Sequence, residues 1–430
     1  MNFKKLLPKS QFSKNVLTLM TGSTIAQVIP VLFSIVLSRM YTSEDFGVFA
    51  FVSSIIFIIG GVSSLTYETT IVLPKEQEKA NNLTLLSIAI TILFFLLLSL
   101  LIFFFPGFFL HVSKNTSIKE WLFLIPFGVF LHSLYQISNY VVNRKEKYKK
   151  LAQSRVLQSI VTGIASVTIG YFNFKYWGLL IGLLLGLLMG ILFLSKDIYN
   201  ILPNKLNKFF LIKLKKVAYE YRYFPKFSAF STLFNSFSNV GLPLIITIFY
   251  GTIISGGYFF AAKVIRLPLN FIFNSFSQVY RQKAAILFFE NKEELLRLTK
   301  KTQIRLALFM IPLLLLASIF SPILFSVVFG EEWGGSGEYV KYFAVFIFFN
   351  GLYSPISAIG DILREQKFLL FFNISLSLSQ IIILYYFSGL YSFKIAILFT
   401  SLVGSLHFVF IDFYMKNKLR KILDNEKISS

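Results

Sequence analysis

Apolar runs of about 20 residues recur along almost the whole chain, separated by short breaks rich in Lys and Arg. Leu83 to Phe105 is one such run and Ile304 to Phe329 another. Lipid offers no partners to free backbone groups, so runs of this length are satisfied as membrane-spanning helices. Twelve spans are expected, at 15–38, 46–73, 82–105, 119–142, 153–172, 176–195, 227–250, 255–280, 303–329, 339–361, 368–388 and 392–415. The pattern predicts an all-α polytopic membrane protein with two six-helix lobes and a central cavity. Residues 1–200 form the first lobe, 201–226 a cytoplasmic linker and 227–430 the second lobe.

Charge orients these spans. Of 42 Lys and Arg, thirty-four fall at the N-terminus, in 74–81, 143–155, 196–226, 281–305 and 362–367, and after 415. The alternate connections hold Arg39, Lys114, Lys119, Lys175, Lys341 and Lys394, and Lys263 and Arg266 lie within a span. The positive-inside rule then places both termini in the cytoplasm. The net charge of +22 is accounted for by orientation and contact with anionic lipid, so nucleic acid is not an expected partner. In the linker, basic and apolar residues alternate at helical spacing from Lys208 to Val217, which predicts an interfacial helix. Phe3 to Leu7 has a weaker version of the same pattern.

Only 14% of residues are charged, against about a quarter in soluble chains. There is no Cys, which removes thiolate chemistry. His111, His132 and His407 have no ligand spacing, and no phosphate-binding G-x-x-x-x-G-K-[ST] loop occurs, so neither metal nor nucleotide cofactor is expected. The first apolar run is too long for a cleavable leader and lacks a small-residue cleavage site.

The halves carry faint similarity. Phe12-Ser13-Lys14 aligns with Phe224-Pro225-Lys226, Val28 with Val240, and Pro30 with Pro243 one residue on. Asp45-Phe46-Gly47-Val48-Phe49 parallels Gly256-Gly257-Tyr258-Phe259. Six spans return the chain to its starting side, so the halves read as parallel repeats, an arrangement that places substrate between them.

Leu37-Ser38-Arg39-Met40-Tyr41-Thr42-Ser43-Glu44-Asp45-Phe46-Gly47 resembles a segment of bacterial polysaccharide flippases. Tyr67-Glu68 with Ile71-Val72-Leu73-Pro74, and Arg266-Leu267-Pro268 with Ser277-Gln278-Val279, are similar in the same way. These are the Wzx-type transporters of the multidrug/oligosaccharidyl-lipid/polysaccharide exporter superfamily. The resemblance extends over the chain. It implies a non-enzymatic flippase of the bacterial inner membrane that moves undecaprenyl-diphosphate-linked O-antigen or capsule repeat units by alternating access. Its implied partners are the lipid-linked oligosaccharide, membrane lipids, and the polymerase and chain-length regulator of the same pathway.

Candidate residues follow from the cost of polarity in lipid. Lys263 and Arg266 share a helical face near mid-span, where a cation costs roughly 2.5–3.5 kcal/mol. They would attract a lipid diphosphate, unless they snorkel to an interface. Glu68 would pair with them or bind a coupling H⁺ or Na⁺; it also reads as an interfacial carboxylate near Lys75. Arg39 sits at a span end beside Glu44 and Asp45, which favours a salt bridge over substrate contact. In-span amides suit sugars: Gln27, Gln136, Asn139, Asn235, Asn239, Asn274, Gln278 and Asn350. Interhelical hydrogen bonding is the competing fate of each. Gly178, Gly182, Gly186 and Gly190 form a stripe for close packing. Glu331-Glu332-Trp333 is too short a loop for glycosidase chemistry.

Two alternatives remain beside the flippase. One is an ion-coupled small-solute antiporter of the same superfamily. The other is a membrane polymerase or acyltransferase, which lacks here the large external loop or the in-span His–carboxylate pair it would need.

Overall fold

The computed structural model describes residues 11–107, 121–174, 176–199, 201, 208–363 and 365–429, and side chains within these ranges except 11–24, 208–210, 271, 278, 361 and 426–429. No β-strand occurs among the described residues. The protein is an all-α polytopic membrane protein. Six of its described helices are long and apolar enough to cross a bilayer, and one bent pair makes a seventh. The basic motif at 3–7 and the connection carrying Lys114 and Lys119 lie outside the described residues.

Contacts gather the chain into two compact units, Met1–Gly256 and Gly257–Ser430. The first unit begins with α1 (Gln11–Met40) and α2 (Ser43–Gly60). Thr42 and Asp45 cap α2 reciprocally: the Asp45 amide donates to the Thr42 hydroxyl at 3.3 Å, and the Thr42 amide to the Asp45 carboxylate at 2.9 Å. The second expected span does not stay helical to residue 73. Leu65 and Thr66 take left-handed φ of 55° and 60°, and the chain re-enters as a 3₁₀ turn at Tyr67–Val72.

Next come α3 (Gln77–Phe104), α4 (Leu124–Arg144), α5 (Tyr148–Tyr171) and α6 (Trp177–Tyr199). The glycine stripe is the α5–α6 contact surface. A Cβ on Gly182 would stand 2.2 Å from the Ser166 Oγ, and one on Gly186 2.0 Å from the Thr162 Oγ1. Only glycine lets these backbones come so close. Lys145, Lys147 and Lys150 converge on the buried Asp197 near the end of α6, at 3.2, 2.6 and 2.8 Å.

The segment from Lys208, expected to be helical, forms α7 (Lys208–Glu220). Its Leu214 and Val217 are buried while Leu211, Ile212 and Tyr219 are exposed. Lys213 meets Glu78 at 2.5 Å and Lys79 meets Glu220 at 3.4 Å. Exposed pairs such as these contribute about 0–1 kcal/mol, so docking rests on Val217 in its apolar cluster with Tyr67, Ile71 and Leu83.

The span expected at 227–250 breaks. Helix α8 (Ala229–Val240) and α9 (Leu242–Tyr250) meet at Gly241, and the segments 224–240 and 242–250 are bent by 61°. Pro243 lacks an N–H, which ends the ladder of backbone bonds there. The Ser54 hydroxyl donates to the Val240 carbonyl at 2.7 Å, and the Ser255 hydroxyl to the Pro243 carbonyl at 2.7 Å. Helices α8 and α9 pack on α2, so α7, α8 and α9 all belong to the first unit, whereas the sequence pattern closes the first lobe at 200.

Helix α10 (Thr252–Glu290) and α11 (Lys292–Phe329) are separated by Asn291 alone. The expected break at 281–302 is therefore helical, with Asn291 capping α11 by accepting from the Glu294 amide at 3.0 Å. The second unit continues with α12 (Gly334–Tyr353), α13 (Ala358–Ile362), α14 (Gln366–Ser388) and α15 (Phe393–Ser429). Its core joins Tyr280, Leu295, Phe346, Ile359, Phe372 and Met415. Between α13 and α14, Lys418 and Tyr414 donate to Glu365 and hold its carboxyl below the usual range.

Candidate functional site

In the first unit α1, α4 and α5 enclose a cavity of about 550 Å³. This lies within the range of small-molecule sites, about 300–1,000 Å³. Helix α4 supplies Tyr135, Gln136, Asn139, Tyr140 and Asn143, a polar face repeating at helical spacing. Helix α5 supplies Leu151, Arg155, Gln158 and Ser159, and α1 supplies Ala26 and Gln27. Helix α1 packs along α5. The Ser159 hydroxyl donates to the Ala26 carbonyl at 2.8 Å, and Phe33 occupies the space a side chain would take at Gly163.

The lining is polar but not acidic. Among the described residues its one charge is the Arg155 guanidinium, and none of them lines it with a carboxylate. The Asn139 Nδ2 donates to the Tyr135 carbonyl at 2.7 Å, while its Oδ1 is buried without a protein partner. The Gln27 Oε1 and the Tyr135 hydroxyl are buried and unpartnered in the same way. Buried polar atoms are normally paired, and each unmet one costs about 1–3 kcal/mol. The three atoms belong to residues that border the cavity, and each is shielded from solvent.

Of the residues singled out in the sequence, Gln27, Gln136 and Asn139 meet at this cavity. Glu68 is buried in the 3₁₀ turn, accepts from the Ser64 hydroxyl, and lies within electrostatic reach of the lining residue Tyr140. Arg144 donates to the Ile71 and Pro74 carbonyls at 3.1 and 2.7 Å, fixing that turn to the end of α4. Arg39 is exposed in the last turn of α1, and its neighbour Asp45 is engaged in the α2 cap. Asn235 and Asn239 are exposed on α8, where the Asn239 Nδ2 donates to the Asn235 carbonyl at 2.8 Å.

In the second unit Lys263 and Arg266 are half-buried on α10. The Lys263 Nζ lies 5.8 Å from the Phe259 ring centre, and the Arg266 guanidinium 5.7 Å from that of Phe346 on α12. Aromatic faces partly compensate a cation withdrawn from water. Neither forms a salt bridge among the described residues. Asn274 is exposed, Asn350 half-buried, and the Gln278 side chain lies outside the described ones. Trp333 is fully buried on Phe260 at 4.1 Å, so the Glu331-Glu332-Trp333 turn is anchored by packing. Among the described residues no cluster of three or more His, Asp and Glu could hold a metal.

Sequence inspection missed Arg155, because 143–155 has the composition of a basic connection, and Gln158 and Ser159, which lie inside the expected span at 153–172 but were not singled out. The signal was present on α4, where Tyr135, Asn139 and Asn143 recur every four residues beside Gln136 and Tyr140.

Comparison with known proteins agrees with this architecture. A lipid II flippase, MurJ, in an inward closed conformation superposes with a TM-score of 0.71 at 18% identity, covering 96% of this chain and 91% of that one. An inward-facing multidrug resistance MATE transporter of the MOP superfamily gives 0.68 at 12% identity over 93% and 96%. A MOP superfamily transporter from Pyrococcus furiosus, described as having a binding pocket of reverse polarity, gives 0.55 at 14% over 94% and 96%. At these identities the likeness is one of fold. No curated protein sequence matches. Residues 36–338 match the sequence profile of polysaccharide biosynthesis proteins, and the chain belongs to that family.

Proposed function

We propose that the protein is a flippase for undecaprenyl-diphosphate-linked oligosaccharide repeat units, of O-antigen or capsule type, in the bacterial cytoplasmic membrane. The observation that carries this reading is a cavity whose described lining is rich in amides and carries no carboxylate, inside a chain of the polysaccharide biosynthesis family. The half-buried cations of α10 support it, since a diphosphate must be drawn through a low-dielectric region. The Lys and Arg distribution supports cytoplasmic termini and loading from the inner leaflet. Translocation is by alternating access, without covalent chemistry. Glu68, the buried carboxylate beside Ser64, is the proposed site of a coupling H⁺ or Na⁺. The pathway's polymerase and chain-length regulator are the proposed partners.

Deleting the gene tests the reading. Surface polysaccharide should vanish, and lipid-linked repeat units should accumulate on the inner leaflet. Complete polymer reaching the surface, in a strain with no second flippase, would overturn it. The rival is an ion-coupled small-solute antiporter of the same superfamily; among the described residues the lining carries no carboxylate for a cationic solute.

A further inference from the structure

We infer that one outward face, running from α7 into the start of α8, is a seat for anionic phospholipid in the headgroup layer of the bilayer. This concerns the lipid around the protein and is independent of the cargo.

Helical spacing defines the face. Its apolar members are Ile212, Tyr219, Tyr223, Phe227 and Phe230, each more than half exposed. Its charged members are Lys215, Lys216, Arg222 and Lys226, which are exposed as well. Steps of three and four residues keep both sets on one side of the helix. Leu214, Val217 and Ala229 take the other side and are buried. The outward face is therefore not the one that makes 208–217 amphipathic in sequence, since Leu214 and Val217 of that stretch are turned inward.

The cations of this face are held ready for phosphate. The neighbouring carboxylates are engaged elsewhere, Glu220 with Lys79 and Glu78 with Lys213. Among the described residues no salt bridge reaches Lys215, Lys216 or Lys226. The Arg222 guanidinium lies 4.0 Å from the centre of the Tyr219 ring. A guanidinium stacked on a ring keeps its in-plane N–H groups for phosphate oxygens. Lys226, four residues on, brings an ammonium to the same side. Beside them the Tyr223 and Phe227 rings stand 4.7 Å apart and continue the apolar surface towards Phe230.

Composition and depth select the occupant. In water the exposed aromatic and aliphatic side chains would stay uncovered, and in the acyl core the cations would be stranded. A protein partner is disfavoured because Lys is depleted at protein interfaces. The headgroup layer accepts both sets, with rings at the acyl boundary and cations on anionic phosphates. The chain runs on from here into the bent pair 224–240 and 242–250, which together have the length and apolarity of a span. The face thus stands at the level where a span begins.

Site-directed fluorescence quenching tests this. The full-length chain has no Cys, so a single one reports on a chosen position. Phe230→Cys is labelled with bimane and reconstituted in phosphatidylcholine vesicles containing dibrominated phosphatidylglycerol or dibrominated phosphatidylcholine. Leu316→Cys, exposed on α11 in the middle of its apolar run, is the reference, which both lipids should quench equally. At position 230 both lipids should quench, and the phosphatidylglycerol should be at least roughly threefold more effective at equal mole fraction. Adding Lys215→Gln, Lys216→Gln, Arg222→Gln and Lys226→Gln together should bring that ratio to one, with thermal unfolding and the Leu316 reference unchanged. Three results would overturn the inference. The first is no quenching at 230 by either lipid while 316 is quenched, which would mean that protein or a second copy covers the face. The second is equal quenching by both lipids without the Gln changes. The third is a phosphatidylglycerol preference that survives them.

Discussion

Tyr135 lays its ring against Gly190, with Cε2 only 2.6 Å from where a Cβ on that glycine would stand. A packing glycine on α6 thus supports a lining residue of the cavity from behind. Gly190→Val should displace Tyr135 and overpack the α4–α6 contact, at a cost of about 1–3 kcal/mol. Thermal unfolding in detergent should show the loss. Gly190→Val combined with Tyr135→Ala should recover much of it, because the smaller side chain gives the valine room.

The lysine cluster on Asp197 gives a second test. Asp197→Asn keeps the shape and leaves three ammonium groups facing a neutral amide. The hydrogen bonds lost are charge-assisted, so about 1–3 kcal/mol of stability should go, the lysines being partly exposed. Limited proteolysis should then cut more readily between α4 and α5. Wild-type resistance there would mean that the cluster contributes little.

On α10 the two cations should respond differently to charge and to geometry. Arg266→Ala should impair export more than Arg266→Lys, which keeps the charge but loses the planar guanidinium that forks onto phosphate oxygens. Lys263→Glu should be worse than Lys263→Ala. Phe346→Leu removes the ring beside Arg266 and should lower stability while sparing export. Equal export loss in Phe346→Leu and Arg266→Ala, at matched protein levels, would make Arg266 a packing residue.

Reporter fusions check the orientation derived from Lys and Arg. Fusions after Lys205 and Lys292 should report cytoplasm, and fusions near Lys114 and Glu331 the exterior. An exterior signal at Lys205 contradicts the assignment.

Spans such as α3 and α6 were readable because length and apolarity alone decide whether a helix can lie in lipid. Their ends were not. The second span was read through to Leu73, although the chain turns at Leu65 and Thr66, where neither residue type announces a left-handed backbone. The segment 281–302 looked like a loop because it is charged, yet long helices continue beyond an apolar core wherever capping allows. Likewise Arg155 was assigned to a basic connection, although α5 already begins at Tyr148 and places it two turns inside. In-span amides were visible as a class. Which of them meet was not, since that depends on the α1–α5 and α5–α6 approaches set by Gly163, Gly182 and Gly186.

The break at Gly241 ties this segment to another helix. The helical segments on either side of Gly241, 224–240 and 242–250, are of unequal length, and the second, with 9 residues, is far short of the about 20 that cross the hydrocarbon. At this bend bare lipid would offer the Val240 carbonyl no partner. Ser54, which supplies one, is synthesised nearly two hundred residues earlier on α2. The bend in this segment is thus matched by a hydroxyl on α2, a helix that precedes it in the chain.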